Sequence, residues 1–380
     1  MIFEIFLFLF ILTFLVFIHE LGHFLSAKFF GIHVEEFGLG LPPRAWFKKV
    51  GDTIYSLNWL PIGGFVQIRG ETLEGYDSTD QTNFLNKKGW QKAIVLTAGV
   101  IMNMVFAIIV FYMVLGMGGW QSTPFLYLSN EYKFPFGETV AVPNISVGFS
   151  EDSAAKDAGI TQGDQIVSLK FEDQKIFPKT VEELRSFVKD KANKTIQIEV
   201  YDLTKEETRM VDVQPRFNKE IDQAALGLSL RPAVRVKYDS TVDRLFAGFL
   251  HPINLMNYNG AILKSLIGIS VEEKTAAPVA QSLSGPVGIF SVVSDVVNSG
   301  SKRVVMQVFD LAAIISLSLA VMNLLPIPAL DGGRLVFVVI EMITGKRPSQ
   351  NFEAKAHQIG FMFLILMIIA VTFKDVLQLF

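Results

Sequence analysis

Cysteine is absent from the 380 residues. That excludes disulfides and thiolate metal ligands, so any metal site must be built from His, Asp or Glu. Charge is also scarce: Asp, Glu, Lys and Arg make up 19% of the chain, low for a soluble protein. The net charge of −3 gives no sign of nucleic-acid binding. The scarcity is uneven. Ile2 to Ile18 carries only Glu4, Ala93 to Gly119 carries no charge, Val304 to Leu330 carries only Asp310, and Gln358 to Phe373 carries none. A helix needs about 20 apolar residues to cross a bilayer. The first three segments meet that length. The fourth meets it if it starts near Ala356 or runs past Lys374. Four spans are expected. The first segment lacks the positive start and small-residue cleavage site of a signal peptide, and it leads directly into His19 and Glu20.

The loop between the first two spans carries Arg44, Lys48, Lys49, Arg69, Lys87 and Lys88, and the one before the last span carries Lys346, Arg347 and Lys355. Basic loops stay in the cytoplasm. Both termini and the long insert from Trp120 to Arg303 are then expected outside. Within the insert, "NISVGF", "QIVSLKF" and "KTIQIEVYDL" alternate as strands do. "TVEELRSFVKDKANK" predicts a helix capped by Thr180, with Glu183 three residues on. After Pro232 the chain turns amphipathic, which predicts a helix lying at the outer membrane surface and interrupted near Pro252. A fifth span is the rival there. In the first loop, "SLNWLPIGGFVQIRGE" reads as a hairpin or bent ribbon around Gly63 and Gly64, its tip bearing Trp59, Leu60, Ile62 and Phe65. Irregular backbone at membrane depth must be buried in protein or line a wet cavity.

His19, Glu20 and His23 form H-E-x-x-H. On a helix, positions i and i+4 share a face, so two imidazoles can grip one Zn²⁺. Glu20 is rotated away and can take a proton from a water beside the metal without being a ligand. Three fixed letters recur by chance in soluble helices, but ionisable groups at the end of a span point to function. A catalytic zinc takes three protein ligands. His33 reads as a loop residue, His251 lies in the outer insert, and His357 opens the last span. Asp331, in "NLLPIPALDGGRL", ends the third apolar segment on the same side as the histidines. Pro326 and Pro328 break the helix before it. Asp331 is a candidate third ligand, or simply the cap of the next helix. Asn323 could hold a substrate carbonyl or bond across helices.

"HELGH" in a first span, "NLLPIPALDGG" in a later one and "LSGPVGIF" before the third span together resemble the site-2 protease family of intramembrane zinc metalloproteases. The closer likeness is to the bacterial branch, regulators of sigma-E, that cleaves anti-sigma factors. The resemblance covers essentially the whole chain. It implies that His19, His23 and Asp331 bind zinc, that Glu20 is the catalytic acid–base, and that Asn323 binds substrate. Gly63, Gly64 and Phe65 would belong to a re-entrant β-loop that pairs with the substrate. "ISVGFSEDSAAKDAGITQGDQIVSL" resembles a PDZ domain, with room for one copy.

The expected protein is therefore a polytopic α-helical membrane protein with a membrane-associated β-hairpin loop and an inserted extracytoplasmic PDZ-like α+β domain. Its expected parts are a catalytic half at 1–120, the PDZ-like domain at 128–235, amphipathic helices at 236–303 and a second catalytic half at 304–380. The expected activity is hydrolysis of peptide bonds in or near transmembrane segments, of anti-sigma factors or remnant signal peptides, with Zn²⁺ as cofactor. Expected partners are single-span membrane proteins, the lipid bilayer and an upstream trimming protease, without nucleic acid; the expected place is the bacterial inner membrane. A metal carrier is the first rival, but it has no use for a glutamate beside the first histidine. A catalytically dead PDZ scaffold is the second, but this chain keeps every residue that chemistry needs.

Overall fold

The computed structural model describes residues 1–71, 79–126, 132–219 and 221–377. The chain-order elements are α1 (Ile2–Phe29), β1 (Val34–Val50), β2 (Thr53–Ile68), α2 (Gly89–Met117), β3 (Phe125–Leu126), β4 (Glu138–Phe149), α3 (Ala154–Asp157), β5 (Asp164–Phe171), β6 (Gln174–Ile176), α4 (Val181–Val188), β7 (Ile196–Asp202), β8 (Glu207–Val213), β9 (Arg216–Asn218), β10 (Gln223–Ala225), β11 (Leu228–Lys237), α5 (Thr241–Glu272), α6 (Ala277–Ser282), α7 (Pro286–Asn298), α8 (Val304–Leu324), α9 (Asp331–Thr344) and α10 (Gln350–Leu377). Among the described residues, four helices are long and apolar enough to cross a membrane: α1, α2, α8 and α10. The chain is thus a polytopic membrane protein with a sheet-rich region. The fourth span reaches its length by extending at both ends, through Ala356 and past Lys374. The expected start of the insert domain, residue 128, lies outside the described residues.

Two compact units form, one from residues 1–111, 281–297 and 307–380, the other from 112–280 and 298–306. In the first, α1 packs on α8 through Ile11, Leu15, Ala312 and Ile315. Glycine brings α1 and α2 together: a Cβ on Gly22 would meet the Ala98 carbonyl carbon at 2.6 Å. In lipid, helix association relies on such close backbone approach because apolar burial gives little drive. "LSGPVGIF" is accounted for by the last helix. Asp375 accepts hydrogen bonds from the backbone N–H groups of Gly285 (2.8 Å) and Gly288 (2.9 Å) at the start of α7, and a Cβ at either glycine would crowd that carboxylate.

Of the two readings of the stretch around Gly63 and Gly64, the bent ribbon holds: these glycines lie inside β2, and the hairpin reversal is at Gly51–Asp52. Both strands are folded on themselves. Residues 36–39 pair on one side with 54–57 and on the other with 64–67, while 44–50 pair back onto 53–58. Pro42 and Pro43 in one strand, and Pro61 in the other, cannot donate to a ladder and so set the bends. The result is four short antiparallel segments with 60–68 at an edge. Inside the ribbon, the buried Glu36 accepts from Ser56 Oγ (2.6 Å) and pairs with Arg44.

In the second unit, β3, β11, β4, β5, β7 and β8 lie side by side in that order, with β6 beside β5; every pairing is antiparallel. Alternate residues of β5 and β7, among them Ile166, Ile196, Ile198 and Val200, close a core with Leu184 and Val188 of α4 and Ala155 of α3. Thr180 caps α4, its hydroxyl accepting from Glu183 N–H, and Glu183 returns a bond to Lys179 N–H. The helix after Pro232 differs from expectation. α5 runs unbroken from Thr241 to Glu272 with Pro252 inside it, and it is not among the helices apolar enough to span. Proline deletes one bond of the ladder, but neighbouring contacts hold the helix: buried Asn254 bonds both the N–H and the carbonyl of Phe136.

Leu169 is fully buried in this core, whereas Met210 is 54% exposed. Leu169→Ala should cost about 2–5 kcal/mol of the unit's stability, and Met210→Ala about 0.5 kcal/mol or less. Pulse proteolysis in urea checks both. Equal effects would mean that the core is wrongly placed.

Candidate metal centre

α1 places His19 and His23 one turn apart, both buried. α9 begins with Asp331, just after the break at Pro326 and Pro328. The ligand atoms converge. His19 Nε2 lies 2.9 Å from Asp331 Oδ2, His23 Nε2 lies 3.2 Å from the same oxygen, and the two Nε2 atoms are 3.2 Å apart. A tetrahedral zinc with bonds of about 2.0–2.1 Å spaces its ligands about 3.3–3.4 Å apart. The three groups therefore fit zinc with a few tenths of an ångström of spreading.

α2 fixes the rings. His23 Nδ1 donates to the carbonyl of Val95 at 2.8 Å, which turns the Nε2 lone pair toward the convergence point. Gly99, one turn further along, lies against both imidazoles: a Cβ there would be 2.7 Å from His19 Nε2 and would collide with His23 Nε2. Asn103, a turn beyond that, has its amide 3.5 Å from His19 Nδ1.

A cavity of about 240 Å³ opens at the centre. His19, Glu20, Asn103, Asn323 and Asp331 line it, so two of the three expected ligands meet the expected acid–base and amide there. The loop carrying Asp331 is held from α10. Ala329, which has a positive φ of 84°, donates its N–H to His357 Nδ1 at 2.8 Å. His357, the other candidate third ligand, thus serves the loop and is not one of the converging groups. His33 and His251 are likewise not among them; His251 is buried beside Tyr238 (3.2 Å from its hydroxyl), where burial pushes its pKa down to about 4.

The ribbon reaches the same place by its edge. A Cβ on Gly64 would lie 3.9 Å from Glu20 Cγ, and one on Gly63 would lie 3.6 Å from Val16 Cγ1. Val66 also lies beside Glu20. Phe65 turns elsewhere: its ring covers Gly38 and does not line the cavity. A larger cavity, about 450 Å³, is lined by Lys92, Glu341, Arg334 and Glu71. Its charges are paired, Lys92 with Glu341 at 2.7 Å and Arg334 with Glu71, and of the candidate ligands it holds only His357, not His19, His23 or Asp331.

Sequence reasoning missed Gly99, Asn103 and the supporting role of His357. The signal for the first two was present. Asn103 is a polar residue in a charge-free span, and Ala98–Gly99 is a small pair of the kind that lets helices touch.

Comparison with known proteins agrees with this centre. The model of peptidase family M50 matches residues 7–367. A Clostridium perfringens protein named "Putative zinc metalloprotease" is 31% identical, covering 96% of this chain and 95% of its own. The "Regulator of sigma-W protease RasP" of Bacillus subtilis is 27% identical, covering 96% of each chain. The "Zinc metalloprotease RasP" of Bacillus licheniformis is 27% identical, covering 98% of each.

The packing of Gly99 on both imidazoles gives a direct test. Gly99→Val should lower zinc content of the purified protein at least tenfold, because the added side chain must displace a ring. Elemental analysis reads this. Full zinc content in that variant would place the metal elsewhere.

Proposed function

The chain belongs to peptidase family M50 and is a zinc metalloprotease, and on that premise we propose that it cuts peptide bonds within or near the transmembrane segments of other membrane proteins. The observation that carries this reading is the meeting of His19, His23 and Asp331 beside a cavity that also holds Glu20 and Asn323. His19, His23 and Asp331 would hold the zinc. The metal supplies Lewis acidity when bound. Glu20 takes the proton of the attacking water and returns it to the leaving amine. It is suited to both steps because it borders the ligands without being one of the converging groups. The amide of Asn323, on the cavity wall, holds the scissile carbonyl.

A helical substrate hides its backbone in its own hydrogen bonds, so it must unwind before cleavage. The edge of β2 at Gly63, Gly64 and Phe65 would take the unwound segment as an added strand. What supports this is the closeness of Gly64 to Glu20 and the lack of a second strand beside 60–68 among the described pairings. The substrate class follows from the chemistry of single-span proteins. Anti-sigma factors and remnant signal peptides are the candidates, trimmed first by another protease. The name of the Bacillus subtilis relative favours the former. A dead scaffold or a metal carrier would leave Glu20 and Asn323 without a task.

The sheet-rich insert reads as a PDZ domain. Its support is a groove of about 430 Å³ bordered by α4 residues Leu184 and Val188 and by Leu226, Gly227, Leu228 and Leu230. The basic loops put this domain outside the inner membrane of a bacterium and the zinc toward the cytoplasm.

Glu20→Gln should keep zinc and lose cleavage by about 10²–10⁴-fold, measured on a purified single-span substrate. Turnover near normal would remove Glu20 from the chemistry. The orientation is checked separately, in a chain with no native cysteine. A cysteine at Lys87 should be shielded from an impermeant thiol reagent in intact cells, and one at Lys194 labelled. The opposite pattern would invert the topology.

A further inference from the structure

We infer that Asn103 is a positioning residue for the zinc site, its side-chain oxygen accepting the Nδ1–H of His19 and so holding that ring with Nε2 on the metal. This rests on the reading of His19 as a ligand. The two ligand imidazoles lie along one helix, and α2 runs beside it with its partners at matching intervals. Val95 meets His23, Gly99 meets both rings, and Asn103 meets His19. The first of these partnerships is complete, a 2.8 Å bond to a backbone carbonyl. The second ring needs the same service, because a neutral imidazole that ligates through Nε2 carries its proton on Nδ1 and must donate it.

Asn103 has no exposure to solvent. Its Nδ2 faces His19 Nδ1, while its Oδ1 is buried without a hydrogen-bond partner. Oxygen and nitrogen of an amide are distinguished only by their network. Turning the group by half a rotation gives the orphaned oxygen a donor and the ring an acceptor, satisfying both at once. With Nδ1 protonated, the other orientation would set two N–H donors against each other, so the turned amide is the favoured one whenever Nδ1 bears the proton. The backbone holding the amide is itself fixed. Ser316 of α8, fully buried, donates its hydroxyl to the Asn103 carbonyl at 2.9 Å, which ties α2 and α8 at this level.

The rival role is contact with substrate, since Asn103 also borders the cavity. Zinc affinity separates the two. In full-length detergent-solubilised protein, zinc is withdrawn by a chromophoric chelator from the native chain, Asn103→Leu, Asn103→Asp and His19→Ala. Asn103→Leu, of similar size but without an acceptor, should bind zinc about 10–100-fold more weakly. Asn103→Asp restores an acceptor and should bind within about threefold of the native protein or more tightly, as carboxylate–histidine–zinc pairs do. Native zinc affinity in Asn103→Leu, with only KM raised, would overturn the inference in favour of substrate contact. Equal weakening in Asp and Leu variants would overturn it too, by showing that packing alone is at stake. If the Leu variant does not fold, the Asp variant decides, and a tenfold loss there is contrary. Unchanged zinc binding in His19→Ala would instead remove the underlying ligand assignment.

Discussion

The structure depends on one constraint: ionisable groups set in apolar helices must find polar partners within the protein, because lipid offers none. His19 and His23 meet it by facing each other, Asp331, the Val95 carbonyl and the Asn103 amide of α2. That arrangement dictates much of the rest. α2 must come close enough to touch both rings, so it carries glycine at 99 and meets Gly22 of α1 through Ala98. α8 must stop before the site, so prolines end it and Asp331 can swing in from the next helix. α10 must hold the resulting loop, and it does so through His357 and through Gly360, where a side chain would strike Pro328.

The same economy explains the ribbon. An extended edge near lipid is costly unless its backbone groups are paired. Folding each strand on itself gives most of them partners from within the ribbon and leaves the 60–68 segment beside α1. That edge is where a substrate strand would find both hydrogen bonds and Glu20. The exposed apolar side chains of the ribbon, Trp46, Trp59, Leu60 and Ile62, suit a surface that faces lipid or an unwound hydrophobic segment better than water.

Much of this was legible in the sequence, and the reasons for the rest are physical. Apolar length fixes the spans because a bilayer has a set thickness, and H-E-x-x-H fixes two residues on one helix face. Asp331 was legible only as one of two alternatives, since a carboxylate at a helix start serves equally as a cap. The stretch at Gly63 and Gly64 was legible only as a hairpin or a bent ribbon, because glycines bend a strand as readily as they reverse one, and only the pairing of 36–39 with two partners tells the cases apart. α5 was expected to break at Pro252 because local propensity disfavours proline there. Tertiary bonds such as those of Asn254 to Phe136 overrode it. Gly99 and Asn103 escaped notice because their meaning lies in what α1 presents to them, which no local pattern encodes.

The central claim is that two imidazoles and one carboxylate of this unit bind the catalytic metal. X-ray absorption at the zinc K-edge of the purified native protein tests it most directly. The account predicts a first shell of nitrogen and oxygen at about 2.0–2.2 Å, with outer-ring scattering from two imidazoles. A shell with three or more imidazoles, or with none, would contradict it.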